Sequence, residues 1–286
     1  MTGSVLVTGS TGNVGRAVAS HLVALGQTVV SAVRAHAAAE VAPGSEARNF
    51  DFEDDRDWAS AFAGVDRLFL LRPPAIADVQ RYLFPVIDAA LDSGVKHIVF
   101  LSLQGVQFNT ATPHHAVEKY LKECGAPFTF LRPNFFMQNL SSTYRDDIRD
   151  RGEIFVPAAR ARTAFVDTDD IGAVAAAVFT KPGHEGKAYT LSGEQSLNYY
   201  DIAQQLTTVL GYPVRYAQPT VEGYVKRLAD TGAAADYIDV QKMIYRVVRM
   251  NVSAFPNRTI RRLTGRPATT FTEFARRERQ RWERGS

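Results

Sequence analysis

Three glycines at regular spacing, Gly9, Gly12 and Gly15, separate an apolar run at residues 5–7 from a stretch that resumes with helical spacing. A turn of this kind suits the holding of a phosphate. Gly9 permits a sharp exit from a strand, Gly12 lets a ligand approach the backbone, and Gly15 lets the next helix lie against a sheet. That helix aims unpaired N–H groups at an anion, so Gly9, Thr11, Gly12, Asn13, Val14 and Gly15 form the candidate cradle. The spacing is G-x-x-G-x-x-G rather than the commoner G-x-G-x-x-G, and a lone glycine triplet also occurs in ordinary loops.

The elements that would have to position this turn are legible on either side of it. Residues 14–24 place Val14, Val18 and Leu22 on one helical face, and residues 28–33 form a β-branched run, so residues 5–33 read as one βαβ unit. About twenty residues after the turn, where an acid would bind a ribose 2′-OH, stands Arg34. A guanidinium there favours a 2′-phosphate and hence NADP(H); the alternative is a surface arginine at a strand end. Residues 48–52 read as a third strand, which puts Asp51 and Phe52 at the edge where an adenine lies. Asp51 capping the next helix is the competing reading. A fourth strand at 67–71 stops at Leu71-Arg72-Pro73, where a pyrophosphate or ribose could pass.

Residues 77–92 are helical in pattern, with Pro85 bending the helix or marking its restart. A fifth strand at 97–101 delivers Ser102 toward the nicotinamide side and Gln104 toward a substrate. Thr112 and Pro113 then open a helix whose first turn carries His114. At a helix start the imidazole should be neutral and able to donate a hydrogen bond, so His114 and Ser102 are the catalytic candidates, with a capping or ribose-contacting histidine as the alternative. A sixth strand at 128–131 leads into Pro133, Asn134 and Phe136 at the cofactor edge, with Phe136 and Asn139 as substrate contacts. Alternation of strand and helix to this point gives an α/β fold, a Rossmann-type doubly wound parallel sheet.

The later half differs, with short strands at 153–157 and 163–166, an alanine-rich helix at 171–179, a returning strand at 187–191 and then mainly helix. The expected division is a nucleotide-binding domain over 1–155, with 163–192 returning to its sheet, and a smaller, mostly helical substrate domain over 156–286.

Composition sets outer limits. The 286 residues are 45% apolar and 22% charged with a net charge of +3, ordinary for a globular protein. No run is long enough to span a bilayer, no basic block suggests nucleic acid, and the first apolar run is too short for a signal peptide. A cytoplasmic monomer or homodimer is the expectation. The single Cys124 excludes an internal disulfide, and adjacent His114 and His115 cannot chelate one metal, so no metal site is expected. Ser102 lacks the G-x-S-x-G setting of a hydrolase. The arginines after Arg261 alternate with glutamates, as on a solvated terminal helix.

With these segments placed, the chain resembles the NmrA-like group of atypical short-chain dehydrogenases/reductases over nearly its whole length, particularly its quinone- and dye-reducing members. The resemblance rests on Val7-Thr8-Gly9-Ser10-Thr11-Gly12-Asn13-Val14-Gly15, Arg34, Gly94-Val95-Lys96-His97-Ile98-Val99-Phe100, Pro127-Phe128-Thr129-Phe130-Leu131-Arg132-Pro133-Asn134, Asp170-Ile171-Gly172, and residues 183–193. It implies a seven-stranded parallel sheet, a small C-terminal domain, and NADP(H) in the crevice between them. It also exposes a departure: the Tyr-x-x-x-Lys pair of the wider family falls at Thr110 and His114. Ketone reduction, which needs a proton for an alkoxide, is thereby disfavoured. Hydride addition to a quinone or another planar conjugated aromatic needs little protein acid, because the charge is delocalised. An electron-rich dihydroquinone could in turn pass electrons to O2, leading to hydroxylation. The resemblance equally permits a non-catalytic NADP(H)-sensing regulator.

Overall fold

The computed structural model describes residues 3–34 and 41–284. In chain order its strands are β1 (Ser4–Val7), β2 (Val29–Val33), β3 (Glu46–Asn49), β4 (Val65–Leu71), β5 (His97–Leu101), β6 (Phe128–Pro133), β7 (Glu153–Ile154), β8 (Lys187–Leu191) and β9 (Arg215–Tyr216). Seven of them form one sheet in the order β3-β2-β1-β4-β5-β6-β8, every pair parallel, while β7 and β9 form a separate parallel pair. β1, β2 and β5 are buried along their whole length, as strands covered on both faces must be. β3, with sequence Glu-Ala-Arg-Asn, is largely exposed, and its charges suit a sheet edge. The strand order reverses beside β1, so the glycine turn leaves the sheet at its switch point, where doubly wound folds hold ligands.

The chain divides into two compact units. The first contains residues up to Pro133 together with Thr168–Leu191 and Thr259–Arg266; the second contains Asn134–Asp167, Ser192–Arg258 and residues from Pro267 onward. The division expected at residue 155 therefore falls inside the second unit. The first unit's core is built from the buried faces of the sheet and its helices, around Leu6, Leu68, Phe100 and Phe130. The second unit's core gathers Ile154, Tyr199, Leu206, Phe271, Phe274 and Trp282.

Several boundaries differ from those read off the sequence. The third strand is Glu46–Asn49 rather than 48–52, because its ladder with β2 ends at Val33 and Asn49, and Phe50 and Phe52 turn into the core instead. Residues 163–166 form isolated bridges, Thr163 to Leu197 and Phe136 to Val166, not a strand. The helical stretch at 77–92 is two helices, Val79–Tyr82 and Phe84–Asp92, with Pro85 in the first turn of the second. The terminal arginines are not simply solvated. Arg266 reaches the buried carboxylate of Asp170 at 2.8 Å within the first unit, and Arg277 reaches that of Asp167 at 2.8 Å within the second. Trp282 is fully buried, its indole N–H donating to the Leu140 carbonyl at 2.9 Å.

Candidate functional site

The turn after β1 is fixed by hydroxyls that the sequence reading passed over. Thr8 is fully buried; its Oγ1 donates to the Phe69 carbonyl at 3.1 Å and accepts from the Leu71 N–H at 2.7 Å, tying the turn to β4. Ser10 Oγ donates to the Ala32 carbonyl at 2.9 Å, tying it to β2. Gly9 has φ +63°, a left-handed conformation that favours glycine, and a Cβ there would lie 3.0 Å from Leu71. At Gly15 a Cβ would stand 2.2 Å from the Gly9 carbonyl oxygen, so only glycine lets the helix Asn13–Ala24 sit this close to the turn. Gly12 is different: its Cβ would meet only the Gly9 oxygen, at 3.4 Å, and otherwise point into open space. Gly12 caps the helix with extended backbone and no side-chain hydrogen bond, which leaves the capping of the first-turn N–H groups to a ligand or water. The signal for Thr8 and Ser10 was present, since both are small hydroxyl residues beside a glycine turn.

At the far end of β2, Arg34 is exposed. Asp51 Oδ1 accepts from the Glu53 N–H at 3.0 Å, and the Asp51 carbonyl accepts from the Trp58 indole at 2.6 Å. This residue organises its own turn, and the following short helix is capped instead by Asp54. Phe52 is 7% exposed and meets Phe50 edge-on at 5.0 Å, so the ring face expected to lie open to an adenine is packed in the core. The cause is the earlier end of β3.

The register aligns the next strand ends. Leu71 partners Leu101, and Leu101 partners Leu131, so Arg72 and Ser102 emerge side by side after β4 and β5. The Arg72 guanidinium braces its own loop, donating to the Pro73 carbonyl at 3.0 Å and to that of Ile76. Its Nε, and the Oγ of Ser102, are buried with no hydrogen-bond partner among the described residues. Buried polar atoms are rarely left this way unless a ligand or water completes them. Gln104 is half-buried, its N–H held by the Pro133 carbonyl at 3.0 Å.

His114 lies in the first turn of the helix Pro113–Glu123, which Thr112 caps, its ring 6.0 Å from that of Phe100. Burial, and then the positive charge of Arg72, push its pKa down to about 4. The imidazole is therefore neutral near pH 7, for a reason other than the helix end that the sequence suggested. His115 points elsewhere, with Nδ1 3.2 Å from the Val106 carbonyl. Thr110 is exposed, and Tyr120 stacks on Phe84 at 3.9 Å, a packing role. The helix is fastened to β6 by a buried ion pair in which Arg132 Nε donates to Glu118 Oε1 at 2.9 Å.

The second unit opens with Asn134, whose side chain is spent on local structure: Nδ2 donates to the Ser253 carbonyl at 2.9 Å and Oδ1 accepts from the Phe135 N–H at 2.8 Å. Phe136 and Asn139, two of the three predicted substrate contacts, line one cavity of about 190 Å³ within this unit, and Gln104 is not among its lining residues. Phe135, Tyr144, Tyr199 and Tyr245 share its wall, and Tyr237 and Gln241 complete it from the helix Ala235–Arg249. Met137 is buried away from it, and Tyr200 is exposed. Tyr144 and Tyr245 were not foreseen, although Tyr237, Gln241 and Tyr245 recur every four residues and so had to share a helix face. Tyr144 has no such marker.

Among the described residues no helix is long and apolar enough to cross a membrane, and no group of three His, Cys, Asp or Glu could hold a metal ion.

Comparison with known proteins agrees with this arrangement. An NAD(P)H azoreductase from Xenophilus azovorans is 33% identical, the match spanning 95% of this chain and 96% of the relative. A (4-alkanoyl-5-oxo-2,5-dihydrofuran-3-yl)methyl phosphate reductase from Streptomyces griseus is also 33% identical, over 95% of this chain and 96% of that one. Among solved structures, the NADPH complex of the quinone oxidoreductase QOR2 from Escherichia coli superposes with a TM-score of 0.83 at 27% identity, covering 94% of this chain and 98% of the other. The model of the NmrA-like family matches residues 1–275. On these matches, and on the sheet and glycine turn described above, the chain belongs to the NmrA-like family.

Proposed function

We propose that the protein is an NADPH-dependent reductase acting on a quinone or another planar conjugated aromatic. The observation that carries the reading is a pair of buried polar atoms, Arg72 Nε and Ser102 Oγ, with no hydrogen-bond partner among the described residues, at adjoining strand ends of a sheet whose switch point holds the glycine cradle. The family relationship and the NADPH complex of a structural neighbour support the same cofactor.

The residues present fit NADP(H). The open space at Gly12 and the N-terminus of the helix Asn13–Ala24 suit a pyrophosphate, and Arg34 suits a 2′-phosphate. Arg72 and Ser102 offer polar atoms to the ribose or nicotinamide end. A nicotinamide held there would supply a hydride to the quinone, with a proton coming from solvent and the oxidised nucleotide left behind. The protein's own contribution is position and exclusion of water, together with the neutral His114, which can donate its N–H to a substrate oxygen. No tyrosine–lysine pair supplies an acid, and a delocalised acceptor does not require one.

Purified protein mixed with NADPH and a panel of quinones should consume NADPH, followed at the nicotinamide absorbance band with and without oxygen. Bound NADPH with no turnover on any quinone rejects the reductase and leaves the dinucleotide-sensing regulator. In a finer form of the reading, the electron-rich hydroquinone reacts with O2, one oxygen atom entering the ring as a hydroxyl and the other leaving as water, so that the product is a hydroxyquinone. Oxygen uptake matched by hydroxylated product selects that branch, and an oxygen-independent reaction ending at the hydroquinone excludes it.

A further inference from the structure

The cavity of the second unit has a chemistry that narrows the substrate. Its wall is mostly aromatic, with two amides, two aliphatic side chains and one threonine: among the described residues none that line it is Asp, Glu, Lys, Arg or His. An ionic group placed there would lose its hydration with no counter-charge in the wall to replace it. The volume, about 190 Å³, modestly exceeds the about 150 Å³ of an engineered apolar cavity that takes up benzene. It holds a substituted ring, not three.

The polar groups in the wall are the tyrosine hydroxyls, the Thr143 hydroxyl and the amides of Asn139 and Gln241. The hydroxyls of Tyr144 and Tyr245 lie 2.5 Å apart and belong to a phenol cluster in which Tyr144 also bonds Tyr224 and Tyr245 also bonds Tyr199. The Tyr224 hydroxyl donates to Gln241 Oε1 at 3.2 Å, which leaves the Gln241 amide nitrogen as that side chain's donor toward the cavity. Burial pushes the phenols of Tyr144, Tyr199 and Tyr245 above the ordinary tyrosine range, so they stay protonated near neutral pH. Phenols kept protonated in this way can donate to a ligand oxygen.

We infer that this cavity selects an uncharged mono- or bicyclic conjugated carbonyl compound, held through its oxygen by the Tyr144–Tyr245 phenol pair, and discriminates against anionic and cationic aromatics. The inference rests on the reductase reading for its catalytic meaning, but binding tests it separately. Dissociation constants of 1,4-naphthoquinone and its 2-sulfonate are measured by calorimetry on the full chain without NADPH. A preference of tenfold or more for the neutral quinone is expected, and a smaller ratio overturns the inference. Tyr144→Phe, which removes the hydroxyl and keeps the ring, should raise KM for 1,4-naphthoquinone about tenfold while the NADPH dissociation constant stays unchanged and the denaturation midpoint falls by no more than the loss of one buried hydrogen bond. An unchanged KM in the folded variant removes the phenol pair from the account. Selective binding of the neutral quinone without NADPH oxidation would defeat the reductase reading and leave the selectivity standing, whereas equal binding and turnover of both quinones would do the reverse.

Discussion

Arg34 and His114 are the two residues whose roles can be separated by measurement. Arg34 is exposed at the end of β2, and a charge-assisted bond from it to a 2′-phosphate is worth about 1.5–3 kcal/mol. Arg34→Ala should therefore weaken NADPH binding by roughly ten- to a hundredfold and NADH binding little, read by titrating each nucleotide. Equal loss for both would mean that Arg34 does not contact the phosphate. His114 carries a pH signature. Its folded pKa of about 4 lies below the ordinary 6.5, so between those values the unfolded chain binds more protons and stability rises with pH. The folded state is spared this penalty above pH 6.5 and loses up to about 3 kcal/mol as pH falls to 4. His114→Gln should flatten that part of the acid limb in urea denaturation, and an identical limb in both proteins would contradict the buried, neutral assignment. Histidine at this place was visible in the sequence, but the cause of its neutrality was not, because its burial depends on packing and the nearby Arg72 charge on the alignment of neighbouring strand ends.

At the scale of elements, the glycine turn makes two opposite forecasts from one motif. Gly15→Ala would drive a methyl group to 2.2 Å from the Gly9 oxygen, forcing the helix Asn13–Ala24 off the sheet, with a loss of about 1–3 kcal/mol and of nucleotide binding together. Gly12→Ala meets only the Gly9 oxygen at 3.4 Å, so stability should change by less than about 1 kcal/mol while NADPH affinity drops, because the methyl enters the space meant for the ligand. Denaturation and nucleotide titration on both variants check the pair, and a Gly12→Ala that keeps its affinity would move the phosphate elsewhere. The βαβ unit, the five-residue β5 and the Thr112–Pro113 helix start were legible because buried parallel strands are continuous apolar runs and caps are local. The end of β3 was not, because Phe50 and Phe52 look like strand residues until the ladder with β2 shows where pairing stops. Residues 163–166 misled in the same way: β-branched and aromatic, they pair with loop segments that sequence distance conceals.

Over the whole molecule, the glycine turn, Arg34, Arg72 and Ser102 belong to the first unit and the aromatic cavity to the second, and the chain passes from one to the other at Pro133, then again at Asp167, Leu191, Arg258 and Arg266. A linear reading sees one change of character near the middle; it cannot see that Thr259–Arg266 returns to the first unit through Arg266 and the buried Asp170. Nor does the arginine–glutamate pattern of the last turns reveal that Trp282 completes a core. Its ring meets Phe274 edge-on at 6.2 Å, its indole reaches Leu140, and its carbonyl accepts from the Tyr212 hydroxyl at 3.0 Å. Leu140 also lines the cavity, so loss of the indole should be felt where an aromatic ligand binds. Trp282→Ala should cost about 3–5 kcal/mol by urea denaturation and raise the quinone KM. Because no atom of the nucleotide cradle belongs to the second unit, its NADPH dissociation constant should stay within about twofold of the wild type under conditions where both are folded. A variant that lost NADPH and quinone binding in equal measure would show that the two functions are not held by separate units of the chain.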